Sequence, residues 1–240
     1  AVMTQLPELS TLQRPEVIFE KDSETVRSLM NIHTYSKAAD KLIRHQSIID
    51  PVKQILQSDV YVFQCILNLK RAFTGDIWQW HQDYGTWARD DGMPEPRAMN
   101  ISVFLDEVTA ANGPLLFIPG SHKKGVVEAG HDLETTSYPL WTLDRATVKQ
   151  LADEGGVVAP VGEPGSVLLF HGNLVHASPP NISPWDRVIV YLSLCAVSNH
   201  ITKFTRKPWI AHRDFTPIKA LADDCLQELV DQAKAKTAAE

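Results

Sequence analysis

The stretch GSVLLFHGNLVHASPPNISPWDRVIVYLSL, residues 165–194, holds three short apolar runs, GSVLLFHG, NLVHAS and RVIVYLSL, separated by Gly, Asn and Pro. Such runs, rich in β-branched and aromatic residues and bounded by turn formers, are the pattern of strands. In the last run alternate positions separate by chemistry. Val188, Val190, Leu192 and Leu194 form an apolar face, and Arg187, Ile189, Tyr191 and Ser193 form the other, which is the period of two expected of a strand. Working outward, the same rhythm begins at Val60 with VYVFQCILNL and continues through AMNISVFLDEV and PLLFIPGS. It predicts a mainly β protein with flanking helices, a double-stranded β-helix or jelly roll.

The flanks read differently. Ser36 is the expected N-cap of a helix over YSKAADKLIRHQ, and Asp50 that of DPVKQILQ, with Pro51 at its first position and Val52, Ile55 and Leu56 on one side. Residues up to about 57 are therefore expected to be helical or irregular, with the jelly-roll core over about 58–200. An insertion over about 122–157 is expected to carry one helix, capped by Asp144, with RATVKQLADE as its body and Gly155 beyond its end. It reads either as a lid over an opening or as a surface excursion. FTPIKALADDCLQELVDQAKAK predicts a C-terminal amphipathic helix over about 216–236, with Leu221, Cys225, Leu226 and Leu229 inward. All 240 residues fit a single domain.

Composition narrows the class of function. The chain is 44% hydrophobic and 22% charged, and its longest apolar run, VIVYLSLCAV, is too short to span a bilayer. AVMTQLPELS lacks a basic start followed by an apolar core, so no secretory signal is expected. Cys65, Cys195 and Cys225 are odd in number and form no metal-type pair, which suits buried thiols in a reducing cytoplasm. A net charge of −6 with only short basic clusters argues against a nucleic-acid partner. Monomer and homodimer both remain open.

The chemistry is carried by WQWHQDYGTW, residues 78–87. If this stretch is extended, His81 and Asp83 point to one side and Gln82 to the other, placing an imidazole beside a carboxylate. A third ligand must come from a distant strand edge. His171 and His176 flank the Gly172-Asn173 turn, and alternation in NLVHAS puts Leu174, His176 and Ser178 on one face. Arg187 opens the next strand, and a fixed guanidinium facing a cavity suits bidentate capture of a carboxylate. Two histidines and one carboxylate on one face of an octahedron are typical of non-haem Fe(II) oxygenases, which keep positions free for an oxo-acid and O2. The competing reading of His176 is a hydrogen-bonded core histidine.

WHQDYGTWARDDGMPEPRAMNISVFLDEVTAANGPLLFIPGSH together with GSVLLFHGNLVHASPPNISPWDR resembles the phytanoyl-CoA dioxygenase superfamily of Fe(II)/2-oxoglutarate oxygenases, over about Val17 to Pro217. Within it the chain looks most like bacterial hydroxylases of free amino acids, of the leucine and proline type, and ectoine hydroxylases. The resemblance implies iron ligands His81, Asp83 and His176, with Arg187 binding the distal carboxylate of 2-oxoglutarate, helped by Ser178. It implies pocket roles for Gln64 and Asn68, which alternation in VYVFQCILNLK places on one face with Val60, Val62 and Ile66. Trp78 stands where relatives carry an aromatic residue beside the cosubstrate, and Trp87 follows at a matching position. Either tryptophan is also well suited to core packing. Arg206 in TRKPW is the candidate cation for a substrate carboxylate, against a reading as a solvated surface arginine. His171 falls outside the implied ligand set, His122 matches a structural turn, and His33, His45 and His212 match no motif.

The resemblance also implies that relatives begin with a further stretch of about thirty residues carrying a strand and a helix, and that this chain starts after it, either through trimming or with part of the sheet edge missing. Gln82-Asp83-Tyr84 resembles the amino-acid hydroxylases more than the His-Ser-Asp-Phe of ectoine hydroxylases. Asp83 also resembles the hydroxylases rather than the halogenases, which lack this carboxylate. The implied reaction is hydroxylation of an unactivated C–H bond in a small free amino or imino acid, using Fe(II), 2-oxoglutarate and O2 and releasing succinate and CO2. The competing classes are a jelly-roll metalloprotein acting without O2 and a catalytically silent interaction module.

Overall fold

The strand Arg187–Ala196 pairs along its whole length with Val60–Lys70 on one side and with Ala98–Phe104 on the other, so the split faces of RVIVYLSL become the two faces of a sheet. The structure is a computed structural model that describes residues 13–237 together with Val2, Met3 and Leu9. Its strands are β1 (Val17–Phe19), β2 (Val26–Met30), β3 (Val60–Lys70), β4 (Trp78–His81), β5 (Ala98–Phe104), β6 (Leu116–Phe117), β7 (Gly130–Asp132), β8 (Leu140–Thr142), β9 (Val167–His171), β10 (His176–Ser178) and β11 (Arg187–Ala196). Helices α1 (Lys37–Ile43) and α2 (Gln46–Leu56) precede β3, α3 (Asp83–Asp90) follows β4, α4 (Arg145–Gly155) follows β8, and α5 is Gln227–Thr237. The larger sheet has the order β1-β2-β3-β11-β5-β9 and the smaller β6-β10-β4-β8-β7. The architecture is the jelly roll expected from the strand rhythm.

One face of the larger sheet is covered by α1 and α2. Val188, Val190, Leu192 and Leu194 of β11 pack there with Ile43, Ile48, Ile49 and Val52, each fully buried side chain contributing about 1.5–3 kcal/mol. The opposite face of the larger sheet contributes Gln64, Ile66, Asn68, Asn100, Tyr191 and Ser193 to a pocket that the smaller sheet closes with Trp78, His81, His176 and Ser178.

β3 departs from simple alternation. Ser193 pairs with Gln64 but Leu194 with Val62, so Phe63 is an extra residue in the ladder. A bulge of this kind reverses the faces of the strand across it. Val60 and Val62 therefore pack on the helix side with Leu67 and Leu69, not on the face of Gln64 and Asn68 as alternation alone suggests.

Other boundaries also move. The first 57 residues contain β1 and β2, and every residue of β2 is buried. Helix α2 starts one turn before Asp50: its N-cap is His45, whose Nδ1 accepts from the Ser47 N–H at 3.3 Å, and Pro51 lies inside. Pro51 forfeits the bond its N–H would make to the Ser47 carbonyl, a loss offset by burial of Ile48, Ile49 and Val52. Residues 216–226 are not helical. Their backbone donors are spent on other segments, Ile218 on Val60 O at 2.8 Å and Leu221 on Arg44 O at 2.7 Å. Ser36 and Asp144 cap as expected; the Asp144 carboxylate accepts from the N–H groups of Ala146 and Thr147 at 2.8 and 3.0 Å. Gly155 is the last residue of α4, and Gly156, at φ 70°, ends it. The insertion is part of the fold: β8 joins the smaller sheet, with Thr142 opposite His81. Among the described residues no helix is long and apolar enough to cross a membrane.

Candidate metal centre

Strand β4 runs out at His81, Gln82 continues extended at φ −122° and ψ 126°, and Asp83 is the first residue of α3. The expected fully extended His-x-Asp is thus a strand-to-helix junction that still turns Gln82 away from its neighbours. Gln82 is buried and clamps two loops: its amide donates to Gly125 O at 2.8 Å and Asn173 O at 2.7 Å, and its Oε1 accepts from Val127 N at 2.8 Å. Asp83 meanwhile gains the partial positive charge of a helix start.

β10 lies antiparallel to β4 with His176 directly opposite His81, and their rings sit 4.1 Å apart between centroids. One donor atom from each of His81, Asp83 and His176 lies within 4.8 Å of the others. The Nε2 atoms of His81 and His176 are 3.4 and 3.5 Å from the two Asp83 oxygens. Each imidazole is oriented by the same device, since Nδ1 of His81 meets Gln79 O at 2.6 Å and Nδ1 of His176 meets Leu174 O at 2.9 Å. A carbonyl only accepts, so Nδ1 carries the proton and Nε2 presents its lone pair inward.

Electrostatics keep this donor set ready for a cation. Burial, reinforced by His81, pushes the His176 imidazole down to about 4 against the opposing pull of Asp83, so it is neutral near pH 7. Burial alone would raise the Asp83 carboxyl, but His176, His81 and the Asn100 amide together bring it below the ordinary carboxylate range. Two imidazoles with one carboxylate suit a divalent first-row ion.

Arg187, with no exposed surface, stands behind the pocket wall, next to the lining residues Asn68 and Tyr191. Its Nη2 donates to Asn68 Oδ1, while Nε and Nη1 make no hydrogen bond among the described residues. Burial lowers its pKa and the neighbouring Tyr191 phenol opposes the fall. Beside the Tyr191 phenol, Nε and Nη1 of this buried guanidinium have no acceptor in good hydrogen-bond geometry among the described residues, and a carboxylate fits there. Asn68 is held in turn by its amide to Ser28 Oγ at 3.2 Å. Ser178 lines the pocket with its hydroxyl donating to Gly113 O at 2.9 Å. Trp78, also in the wall, has the Arg27 guanidinium 4.0 Å over its ring.

The remaining sequence candidates all reach the pocket wall. Gln64 and Trp87 spend their polar groups inside the protein: the indole N–H donates to Gln64 Oε1 at 3.2 Å and the Gln64 amide to Ile210 O at 2.8 Å. Trp87 also packs edge-on against Phe63. Arg206 is no solvated surface residue, since it grips the fully buried Asp91 through Nε and Nη2. His171 stays out of the trio, its Nδ1 accepting from Asn173 N at 3.0 Å. Several pocket residues were not foreseen. Thr86 has a buried Oγ1 without a partner, Tyr138 and Leu140 come from the insertion, and Asn100 binds Asp83 Oδ2 at 2.7 Å. Asn100 and Ser102 alternate within AMNISVF, a sign that this face of β5 is not simple core.

A divalent ion on these three donors keeps the opposite face for a chelating acid and O2, which defines a non-haem iron oxygenase built on a jelly roll. The model of the phytanoyl-CoA dioxygenase (PhyH) family matches residues 5–189, and the chain belongs to that family. It is 34% identical over 228 residues to the L-proline trans-4-hydroxylase of Streptomyces griseoviridis, covering 91% of this chain and 85% of that one. It is 36% identical over 222 residues to the ectoine dioxygenase of Sphingopyxis alaskensis, covering 88% and 72%. The crystal structure of EctD from S. alaskensis with 2-oxoglutarate and 5-hydroxyectoine superposes with a TM-score of 0.82 at 33% identity, over 92% of this chain and 76% of EctD. The same enzyme with bound Fe gives a TM-score of 0.80. The chain is a 2-oxoglutarate-dependent dioxygenase, with Fe(II) as its metal and 2-oxoglutarate and O2 as cosubstrates.

Proposed function

We propose that the protein hydroxylates an unactivated C–H bond of a small free amino or imino acid, with release of succinate and CO2. The observation that carries this reading is one pocket lined by the His81, Asp83 and His176 trio and by Arg206, with the buried Arg187 guanidinium behind its wall at Asn68. When bound, Fe(II) with 2-oxoglutarate and O2 supplies the oxidising power that exchanges a C–H hydrogen for hydroxyl. The protein's own residues bind, orient and exclude water. His81 and His176 offer Nε2 and Asp83 a carboxylate oxygen to the metal. Arg187, oriented by Asn68, gives Nε and Nη1 to the distal carboxylate of 2-oxoglutarate, with the Ser178 hydroxyl, which here donates to Gly113 O, able to turn its O–H to that carboxylate and the Trp78 ring as a wall.

At the substrate end Asp91 holds Nε and Nη2 of Arg206, leaving Nη1 for a substrate carboxylate. Thr86 Oγ1, buried without a partner, offers a second polar contact. Gln64 and Trp87 shape the wall through their mutual hydrogen bond rather than by free donors. Phe170, Leu115 and Leu140 supply the apolar surface against a side chain or ring. A small zwitterion fits this division of labour. The likeness to an L-proline hydroxylase over 85% of that relative's length supports an imino-acid substrate, and the likeness to ectoine dioxygenases supports ectoine as the second reading. The test is incubation with Fe(II), 2-oxoglutarate, O2 and a panel of amino acids, imino acids and ectoine, read by mass spectrometry. A product heavier by one oxygen, formed with stoichiometric succinate, is expected from one member. Succinate formation that no panel member stimulates would refute the substrate class.

A further inference from the structure

Two of the three donor residues stand on the smaller sheet, His81 on β4 and His176 on β10, and the third, Asp83 at the start of α3, is tied to the larger. Asn100 on β5 donates from Nδ2 to Asp83 Oδ2 at 2.7 Å, and Ser193 on β11 donates from Oγ to Asn100 Oδ1 at 2.7 Å. Ser193 and Asn100 stand directly opposite in the β11·β5 ladder, and both are about 95% buried. The chain Ser193 to Asn100 to Asp83 therefore crosses the interior from the larger sheet and ends on a single carboxylate oxygen.

The chain has one polarity. An ionised carboxylate only accepts, so the Asn100 amide must turn its NH2 to Asp83 and its oxygen to Ser193, whose hydroxyl must donate. Without the serine the amide would lose the bond that fixes its orientation. Both oxygens face an imidazole, Oδ1 at 3.4 Å from Nε2 of His81 and Oδ2 at 3.5 Å from Nε2 of His176, and of the two it is Oδ2 that takes the hydrogen bond from the larger sheet.

We propose that Asn100, braced by Ser193, is a positioning residue that reserves Oδ2 of Asp83 and so makes the carboxylate bind the metal through Oδ1 alone. A carboxylate free to rotate can bite with both oxygens, occupying a position that the oxo-acid or O2 needs. The hydrogen bond to Asn100 opposes that rotation by holding one oxygen against the sheet. This inference rests on the metal-binding reading of the trio and specifies how one of its ligands is presented.

The test uses the full chain loaded with Co(II) or Fe(II) under anaerobic conditions, comparing wild type, Asn100→Leu and Ser193→Ala. Leu keeps the branched outline of Asn100, with more bulk, and removes both hydrogen bonds. Outer-sphere partners of metal ligands are typically worth about ten- to a hundredfold in metal affinity, and a loss in that range is expected for Asn100→Leu, with a smaller loss for Ser193→Ala. The visible spectrum of the Co(II) protein is expected to change in Asn100→Leu, reporting an altered coordination number, before any turnover is measured. Wild-type affinity together with a wild-type Co(II) spectrum in both variants, folded by circular dichroism, would overturn the proposal. Should Asn100→Leu fail to fold, Ser193→Ala decides alone by the same two readings. If wild type itself binds neither ion, the metal-binding reading fails first.

Discussion

Replacing Arg187 with Met is expected to stabilise the free protein and to abolish its response to 2-oxoglutarate. Arg187 is fully buried, with no acceptor in good hydrogen-bond geometry for Nε and Nη1 among the described residues beyond the neighbouring Tyr191 phenol, and each buried, unsatisfied polar group costs about 1–3 kcal/mol. Removing the guanidinium relieves about 2–6 kcal/mol on that basis and orphans Asn68 Oδ1, returning about 1–3 kcal/mol. The net gain is roughly 1–3 kcal/mol, which for a chain of this size raises Tm by about 2–4 °C per kcal/mol. Wild type should gain about 2.7 kcal/mol from 2-oxoglutarate at a hundred times its Kd, and the Met variant almost none. Thermal unfolding by circular dichroism under anaerobic conditions, with and without 2-oxoglutarate, reads both effects in one experiment. An Arg187→Met protein that melts below wild type and still shifts with 2-oxoglutarate would refute the reasoning, because the cavity end would then not be organised around an unpaid cation.

Asp83→Ala is expected to reduce succinate formation by at least about a thousandfold, since it removes the one anionic donor of the trio, measured with saturating Fe(II) to separate weak binding from lost function. Arg206→Met is expected to raise the Michaelis constant of the prime substrate about ten- to a hundredfold while substrate-independent turnover of 2-oxoglutarate persists. Because it strands the buried Asp91, the Arg206→Met/Asp91→Asn double variant should melt above the single one. Lys70, buried with its Nζ donating to the carbonyls of Ser178 and Pro179, gives the pH dependence. Burial, then Arg187 and Arg27, lower its pKa from 10.5 to about 6. Between these values the unfolded chain holds a proton that the folded one does not, so its contribution makes stability climb as pH rises, by up to about 1.4 kcal/mol per unit. Urea unfolding at pH 7 and 8.5 should show a smaller rise in Lys70→Met than in wild type; equal slopes would reject a neutral buried lysine.

What sequence could convey depended on how local the cause was. The faces of β11 follow from alternation within ten residues, and the caps at Ser36 and Asp144 act over two or three. The trio was legible because two of its members share a short motif and the third sits on an alternating run before Arg187. β2 was hidden because its Arg27 is buried only through Glu20 at 2.6 Å and Ile77 O, partners that the pattern of VRSLM does not announce. The reversal at Phe63 depends on cross-strand register, and Asn100 acquires its meaning only when β5 is laid beside β11. The apolar spacing of residues 216–226 suits a helix, but their backbone is claimed by Val60 and Arg44 instead.

Gln82, between the two candidate ligands of the motif, makes its hydrogen bonds away from the trio and fastens Gly125, Val127 and Asn173 to the neck between β4 and α3. A homologue could therefore keep all three ligand letters and still be crippled by a hydrophobic residue at this middle position. Scanning genomes for the ligand pattern alone would count such a chain as a working enzyme, whereas adding a buried amide to the search at that position would weed it out.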